Sequence, residues 1–559
     1  MRIVSHHKGL LFILLAAAAM AGYLLATRPN MGGDGLYYHY TVHNFFTGKG
    51  LTFNGQPAWS FTVGYGLLSN LLNLLVQDIE YSGMIVSALA YLGLIVLVHA
   101  IGGRLMDKRA ALIPAGFTAL TPALVEYSCI NLTDVTAAFV LCFGLYTLLR
   151  YCTGTGTLPK ALALGLALGL GYWMRDEGFI IGMGALGLVC LVALWGVVRG
   201  KGWKLPATFL AALSVFALLC VPGFWHIYNL TGVVTFSERA LAKQQFKHLL
   251  PENFQEEESL FGNATKPEVP RQYRSIVPAL INRDQDEGKN PVMEWLKAAK
   301  DIGLASYRMT KHASIPLVLC AVAGLFALRR RKPGKPEAAP AGERPGAWLV
   351  LACFAVYFLP FGIYIFFKMV RVRHIMQFSP YMILLMCWAC HALLRRRMVT
   401  GKAFQWGAAA LLGLSLVIAS GILPRPYAIP SFKEVYSGEH PHKGLRGAGL
   451  WISEQARQGD FFIVAPKKSN VAAFYAYGKS MDESFMKKAV SLNKHRTLAD
   501  VRAILREVGG GYFILDSWYI DQRPNLKPLW DAPDTAREYG LRLLHLDPDG
   551  FYQVYGLEQ

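Results

Sequence analysis

Long apolar blocks separated by short polar connectors fill the first three quarters of the chain. A membrane-crossing helix needs about 20 mainly apolar residues. The blocks near 9–27, 80–102, 110–127, 135–150, 159–174, 178–198, 205–223, 313–328, 346–367, 375–394 and 403–423 predict eleven spans. The segment 61–77 (FTVGYGLLSNLLNLLVQ) is apolar but short, and Asn70, Asn73 and Gln77 interrupt it. It reads as an amphipathic or re-entrant helix at the membrane interface. From about residue 424 the pattern changes. Strand-like runs appear at 461–466, 511–516, 541–546 and 551–556, with helical patterns near 444–457 and 497–508. Such alternation predicts a small α/β domain. The expected organisation is a polytopic α-helical membrane domain, 1–423, followed by an α/β domain, 424–559.

Composition agrees: 53% of the 559 residues are hydrophobic and 17% are charged. The net charge of +19 comes largely from short basic runs between apolar blocks: RLMDKR (104–109), RGKGWK (199–204), RRRKPGK (329–335) and LLRRRM (393–398). This is the positive-inside pattern of cytoplasmic loops, not a nucleic-acid footprint. With the N-terminus inside, every run falls on the cytoplasmic face, and 229–312 and 424–559 fall outside. Counting 61–77 as a span would reverse that order. The nine cysteines lie in or beside apolar segments and read as small core residues. The first apolar run reads as an uncleaved signal anchor. The tail carries no nucleotide-binding glycine fingerprint, and the glycines at 509–511 precede a strand, as a turn does.

The expected outer face collects the unusual ionisable groups. Asp34 follows the first span in MGGDGLYYHY, and Asp134 lies in CINLTDVTAAF. Arg175, Asp176 and Glu177 form YWMRDEGF, and Arg371, Arg373 and His374 lie in FKMVRVRHIMQFSP. Ionisable residues at membrane boundaries are expensive to desolvate and tend to be functional. Asp134 could equally cap the following helix, and Arg175 could pair with Glu177 or snorkel to headgroups. External arginines beside an external carboxylate suit an enzyme that handles a lipid phosphate. Arginines neutralise a phosphate leaving group, and a carboxylate serves as base on the nucleophile.

The order of these motifs resembles the type C (GT-C) membrane glycosyltransferases that use polyprenyl-phosphate sugars. The nearest groups are the protein O-mannosyltransferase-like enzymes and the lipid A aminoarabinose transferase. The elements that carry the resemblance are GDGLYYHY, the re-entrant helix, LTD at 132–134, RDEG at 175–178 and RHIMQFSP at 373–380. The resemblance implies that Asp34 is the base of an inverting transfer, with Asp134 as the second-loop aspartate. It also implies that Arg373 contacts the donor phosphate, with His374 where many members have an aromatic residue. Arg175, Glu177, Arg371, Tyr37 and Tyr38 complete the expected substrate-binding set. The chain departs from the family in two places. Asp34 is followed by Gly35 where the mannosyltransferases often have Asp-Glu, and RDEG stands where many bacterial members have Arg-Pro-Glu-Gly.

The resemblance implies a polyprenyl-phosphate sugar donor, membrane lipids around it, and a lipid, glycan or protein acceptor. It also implies a bacterial inner membrane with the C-terminal domain in the periplasm. His39 and His43 are four apart and, with Asp34, could bind a divalent metal. Water-facing polar positions on an interfacial helix are the alternative. Two other functions fit parts of the pattern. A flippase for lipid-linked sugars would need polar residues at mid-membrane on broken helices, whereas the charges here gather at one lip. An O-antigen ligase or polymerase would use a large external loop, and 229–312 is long enough to be one.

Overall fold

The computed structural model describes residues 4–28, 31–58, 61–153, 156–198, 204–231, 346–366, 377–396, 443–456, 461–492 and 496–558, with two isolated positions at 234 and 236. The described residues of the chain divide between two compact units, one drawn from 1–27, 84–226 and 283–438, the other from 28–83, 227–282 and 439–559.

The first unit is helical. Its elements are α1 (Val4–Thr27), the main part of α4 (Ile79–Leu105), α5 (Leu112–Ala119), α6 (Pro122–Tyr127), α7 (Asp134–Thr153), α8 (Leu158–Met174), α9 (Glu177–Val198), most of α10 (Lys204–Thr231), α11 (Ala347–Phe366) and α12 (Ser379–Arg396). Among the described residues, five helices are long and apolar enough to cross a membrane: Lys8–Thr27, Ile79–Leu105, Asp134–Thr153, Glu177–Val198 and Pro206–Asn229. Leu158–Met174 and Ala347–Pro360 are shorter apolar helices. The expected spans at 313–328 and 403–423 lie outside the described residues.

One expected span is not a single helix. The stretch 110–127 breaks into α5 and α6, with Thr121 extended before Pro122. A residue that precedes proline is pushed out of the helical region by the ring, so the chain turns there. Elsewhere helices approach closely where side chains vanish. A Cβ on Gly178 at the start of α9 would strike the backbone of Gly171 in α8. Small residues at such crossings are the usual means by which membrane helices pack.

The second unit joins the segment after α1 to the C-terminal tail. It contains α2 (Gly33–Phe46), a two-stranded ribbon of β1 (Thr52–Phe53) and β2 (Gln56–Pro57), and α3 (Gly64–Val76). The tail forms a five-stranded sheet in the order β4-β3-β5-β7-β6, with β3 (Phe462–Ala465), β4 (Ala489–Ser491), β5 (Gly511–Asp516), β6 (Leu541–Leu546) and β7 (Tyr552–Leu557). Strands β4, β3 and β5 run parallel, and β7 and β6 close the sheet antiparallel. Helices α13 (Lys443–Gln455), α14 (Ser469–Ala476) and α15 (Leu498–Glu507) are the longer helices of the tail.

Alternation along the strands divides the core in two. Ile463, Ala465 and Ile514 point to one apolar cluster, and Val464, Phe513 and Leu515 to the other. The second cluster takes Leu498, Val501 and Leu505 of α15. The first takes Leu445, Ala448 and Ile452 of α13 and Val471 to Ala476 of α14, and it also takes Met31, Leu36, Tyr40 and Ile79. One core of the tail domain is thus completed by residues from the segment after α1 and by the first residue of α4. Full burial of a side chain such as Met31, Leu36 or Ile79 contributes about 1.5–3 kcal/mol.

Helix α3 packs on α2 through Gly66, where a Cβ would run into the carbonyl oxygen of Tyr38. Asn70 donates to the carbonyl oxygens of His39 (3.0 Å) and Gly66 (2.9 Å). Leu68, Leu71, Leu74 and Leu75 form the opposite face and are exposed. An apolar exposed face on a helix too short to span is what an interfacial helix presents.

Candidate active site

Asp34 lies in the first turn of α2, after an N-cap Gly32 that makes no side-chain capping bond. The helix dipole favours negative charge at that end. Its side chain is 39% exposed, and its Oδ1 stands 3.9 Å from Nζ of Lys468. Lys468 occupies the turn between β3 and α14, and sequence reading gave it no role. Nothing in the local pattern of either residue signals the other, because the tail fold alone brings them together.

The neighbourhood of Asp34 is fixed by a buried polar cluster. Tyr475 of α14 accepts the amide N–H of Met31 at 3.0 Å and donates its hydroxyl to Glu80, whose side chain is fully buried. Lys479 bonds Glu80 at 2.7 Å and Asp78 at 2.8 Å, and Arg446 stands 3.9 Å from Glu80. Burial works against the charge on Lys479, but the bonds to Asp78 and Glu80 outweigh it and hold its pKa above the usual lysine value. Burial, then the Glu80 charge, raises the Tyr475 phenol well above its usual value, so it stays a donor. Tyr40 of α2 adds a bond from its hydroxyl to the carbonyl oxygen of Ser480.

The other α2 candidates divide. Tyr38 is buried and packs edge-on to Tyr65 of α3. Tyr37 is half-buried and packs edge-on to Phe53 of β1. His39 is buried with its ring 5.5 Å from that of Tyr65, whereas His43 lies half-buried in the last turn. Among the described residues no three His, Cys, Asp or Glu side chains are grouped to hold a metal. The expected His39, His43 and Asp34 set therefore does not converge. At about 100° per residue, Asp34 sits roughly 140° round the helix from His39.

In the helical unit, Asp134 opens α7 and Arg175 links α8 to α9. Arg175 Nη1 donates to Asp134 Oδ1 at 2.6 Å. Its Nε and Nη2 donate to the two oxygens of Glu177, at 3.1 and 3.3 Å. Both carboxylates and the guanidinium are largely buried. Asp134 is thus bound by arginine in addition to heading its helix. Arg175 is engaged on two edges, and a substrate phosphate would have to compete with two carboxylates for it. Arg371, Arg373 and His374 lie outside the described residues.

Residues 62–226 match the family described as dolichyl-phosphate-mannose-protein mannosyltransferase. The match includes Asp134, Arg175 and Glu177 and begins after Asp34. Over that stretch the chain is similar to membrane glycosyltransferases of the GT-C kind that use a lipid-linked sugar, and the described residues include helices long and apolar enough to cross a membrane. The resemblance read from the sequence is upheld over that stretch. No curated protein matches the chain.

Among solved structures, the oligosaccharyltransferase of Archaeoglobus fulgidus, in complex with Zn and sulfate, aligns at 13% identity and a TM-score of 0.47, covering 90% of this chain and 68% of that one. ArnT from Cupriavidus metallidurans bound to undecaprenyl phosphate aligns at 14% identity and a TM-score of 0.41, covering 98% of both chains. Its apo form aligns at 13% identity with the same TM-score and coverage.

Proposed function

We propose that the protein transfers a sugar from a polyprenyl-phosphate donor to a lipid, glycan or protein acceptor on the outer face of the inner membrane. Asp34 is the base. The acceptor hydroxyl gives its proton to the Asp34 carboxylate, and its oxygen attacks the anomeric carbon. The bond from that carbon to the phosphate oxygen breaks, and polyprenyl phosphate leaves with the electron pair. Direct displacement inverts the anomeric configuration. Arg373 neutralises the leaving phosphate, assisted by Arg371 and His374. Arg175 holds Asp134 and Glu177 in place.

The observation that carries this reading is the placement of Asp34. It is a partly exposed carboxylate in the first turn of a helix, in a segment anchored by a buried polar cluster. The family match over 62–226 supports the chemistry, and the basic runs support the sidedness. Residues 28–83 and the tail share a compact unit, which favours one side of the membrane for both. Periplasmic placement of the tail, 424–559, then follows from a cytoplasmic N-terminus.

The test uses purified full-length protein in lipid nanodiscs. It is supplied with polyprenyl-phosphate mannose or polyprenyl-phosphate aminoarabinose and membrane lipids from cells lacking the gene. Release of polyprenyl phosphate with a sugar of inverted configuration on the product supports the reading. Retained configuration, or no release from either donor, contradicts it.

A further inference from the structure

Lys468 adopts φ +57°, a left-handed conformation that a lysine seldom takes. Strain of this kind persists only where the surroundings impose it, and it clusters at functional positions. The surroundings here are specific. Arg523 donates from Nε (3.2 Å) and Nη2 (2.8 Å) to the carbonyl oxygen of Pro466, and from Nη2 to that of Leu492 at 3.0 Å. Ser469 donates its amide to Ser491 Oγ at 3.1 Å, and the two hydroxyls lie 2.9 Å apart. These bonds pin the turn at the carboxyl ends of the parallel strands β3 and β4. The far end of α14 is pinned through Tyr475 to Met31 and Glu80.

On the facing side, Gly33 leaves room for the lysine. A Cβ there would lie 3.0 Å from Lys468 Nζ and 3.2 Å from its Cδ. The result is an ammonium 3.9 Å from Asp34 Oδ1, with the two side chains 33% and 39% exposed. Ion pairs this exposed contribute little to folding. The pair by itself therefore returns little stability for the glycine that makes room for it. Lys479 makes the contrast: it is also left-handed, at φ +57°, but its ammonium reaches the fully buried Glu80.

We propose that Lys468 is a positioning residue for the transfer reaction, supplied by the tail domain to hold the Asp34 carboxylate. This rests on the assignment of Asp34 as base. The ammonium, 3.9 Å from Oδ1, orients the carboxylate electrostatically for the acceptor proton. In an in-line displacement the acceptor and the leaving phosphate lie on opposite sides of the anomeric carbon. A cation beside the base therefore acts on the acceptor side. The tail domain is accordingly part of the reaction site.

The left-handed backbone supplies a clean variant. Lys468→Gly removes the ammonium while relieving the strained φ, so the fold should be as stable as before. Full-length wild type, Lys468→Gly, Lys468→Arg and Asp34→Asn are compared in nanodiscs with whichever polyprenyl-phosphate sugar wild type turns over. The expected result for Lys468→Gly is a fall in kcat of at least about tenfold, with donor KM within about twofold of wild type and an unchanged melting temperature. Lys468→Arg should recover most of the rate. Wild-type kcat in Lys468→Gly, with Asp34→Asn inactive, overturns the role of Lys468 and leaves Asp34 standing. Normal turnover in Asp34→Asn removes the base and this inference together. A rate loss in Lys468→Gly that follows a lower melting temperature and is not restored by arginine makes the residue merely structural.

Discussion

Tyr475 stands between Met31 and Glu80, accepting the amide of the first at 3.0 Å and donating to the buried carboxylate of the second. One phenol thus joins both ends of the segment that carries Asp34 to a single helix of the tail.

Tyr475→Phe leaves the Met31 amide and one oxygen of Glu80 without this partner. Each group stranded in this way costs about 1–3 kcal/mol. Lys479→Ala is expected to be worse, because it removes the strongest positive partner of a fully buried carboxylate. Its cost should approach the roughly 3–5 kcal/mol of a broken buried pair, reduced by the partial exposure of the lysine. Thermal unfolding of purified protein, with limited proteolysis of residues 28–83, measures both. Wild-type stability in Lys479→Ala would mean the cluster does not anchor the segment.

Arg175→Ala removes the cation that two largely buried carboxylates, Asp134 and Glu177, share. The expected outcome is a loss of about 3 kcal/mol or more, or failure to accumulate in the membrane. Arg175→Lys should recover only part, because an ammonium cannot reproduce the fork that holds Glu177. Asp134→Asn should be milder, since an amide oxygen can still accept from Arg175 and the residue can still head α7. Expression level and detergent melting temperature report all three.

Asp516, at the end of β5, is 1% exposed, and burial pushes its carboxyl up to about 7 against hydrogen bonds from backbone N–H groups including that of Trp518. A folded pKa above the unfolded value means that the stabilisation is complete below about pH 4 and is lost as pH rises through about 7. The tail should therefore be less stable at pH 8 than at pH 4 by a term on the order of 2–4 kcal/mol from this group. Asp516→Asn should remove that slope and slow hydrogen exchange of residues 511–516 at pH 8. An unchanged slope in the variant would assign the pH dependence to other groups.

Arg373→Ala should cost donor use on the order of 2–4 kcal/mol if its guanidinium meets the phosphate in a site of low dielectric. Arg373→Lys should restore part of it. Donor KM and kcat in the purified variants decide this, and near-normal values in Arg373→Ala reject the contact.

The sequence was most legible where one period rules. The tail strands at 462–465, 511–516 and 541–546 fall within the runs predicted for them, and 552–557 overruns its predicted run by one residue, because buried strands are short and apolar. Helix α15 was legible from its pattern, and Thr497 and Asp500 close a capping box at its start. Helix α14 escaped notice because VAAFYA is buried on all sides and shows no periodic face. Strand β4 is only three residues long. The break before Pro122 was readable in principle, since proline disfavours helix in the residue before it. The pairing of Arg175 with Glu177 was foreseeable from their spacing, but its bond to Asp134 was not. Lys468 illustrates the remaining gap. Its strain and its proximity to Asp34 arise from tertiary packing, and a run such as APKKSN carries no mark of either.

The central claim is that Asp34 is the base. Asp34→Asn preserves size and shape and removes the charge. The direct measurement is turnover of a polyprenyl-phosphate sugar by the purified variant beside wild type, with binding of polyprenyl phosphate measured in parallel. Turnover should fall by at least about 100-fold while lipid binding and melting temperature stay at wild-type values. Wild-type turnover in Asp34→Asn would contradict the account.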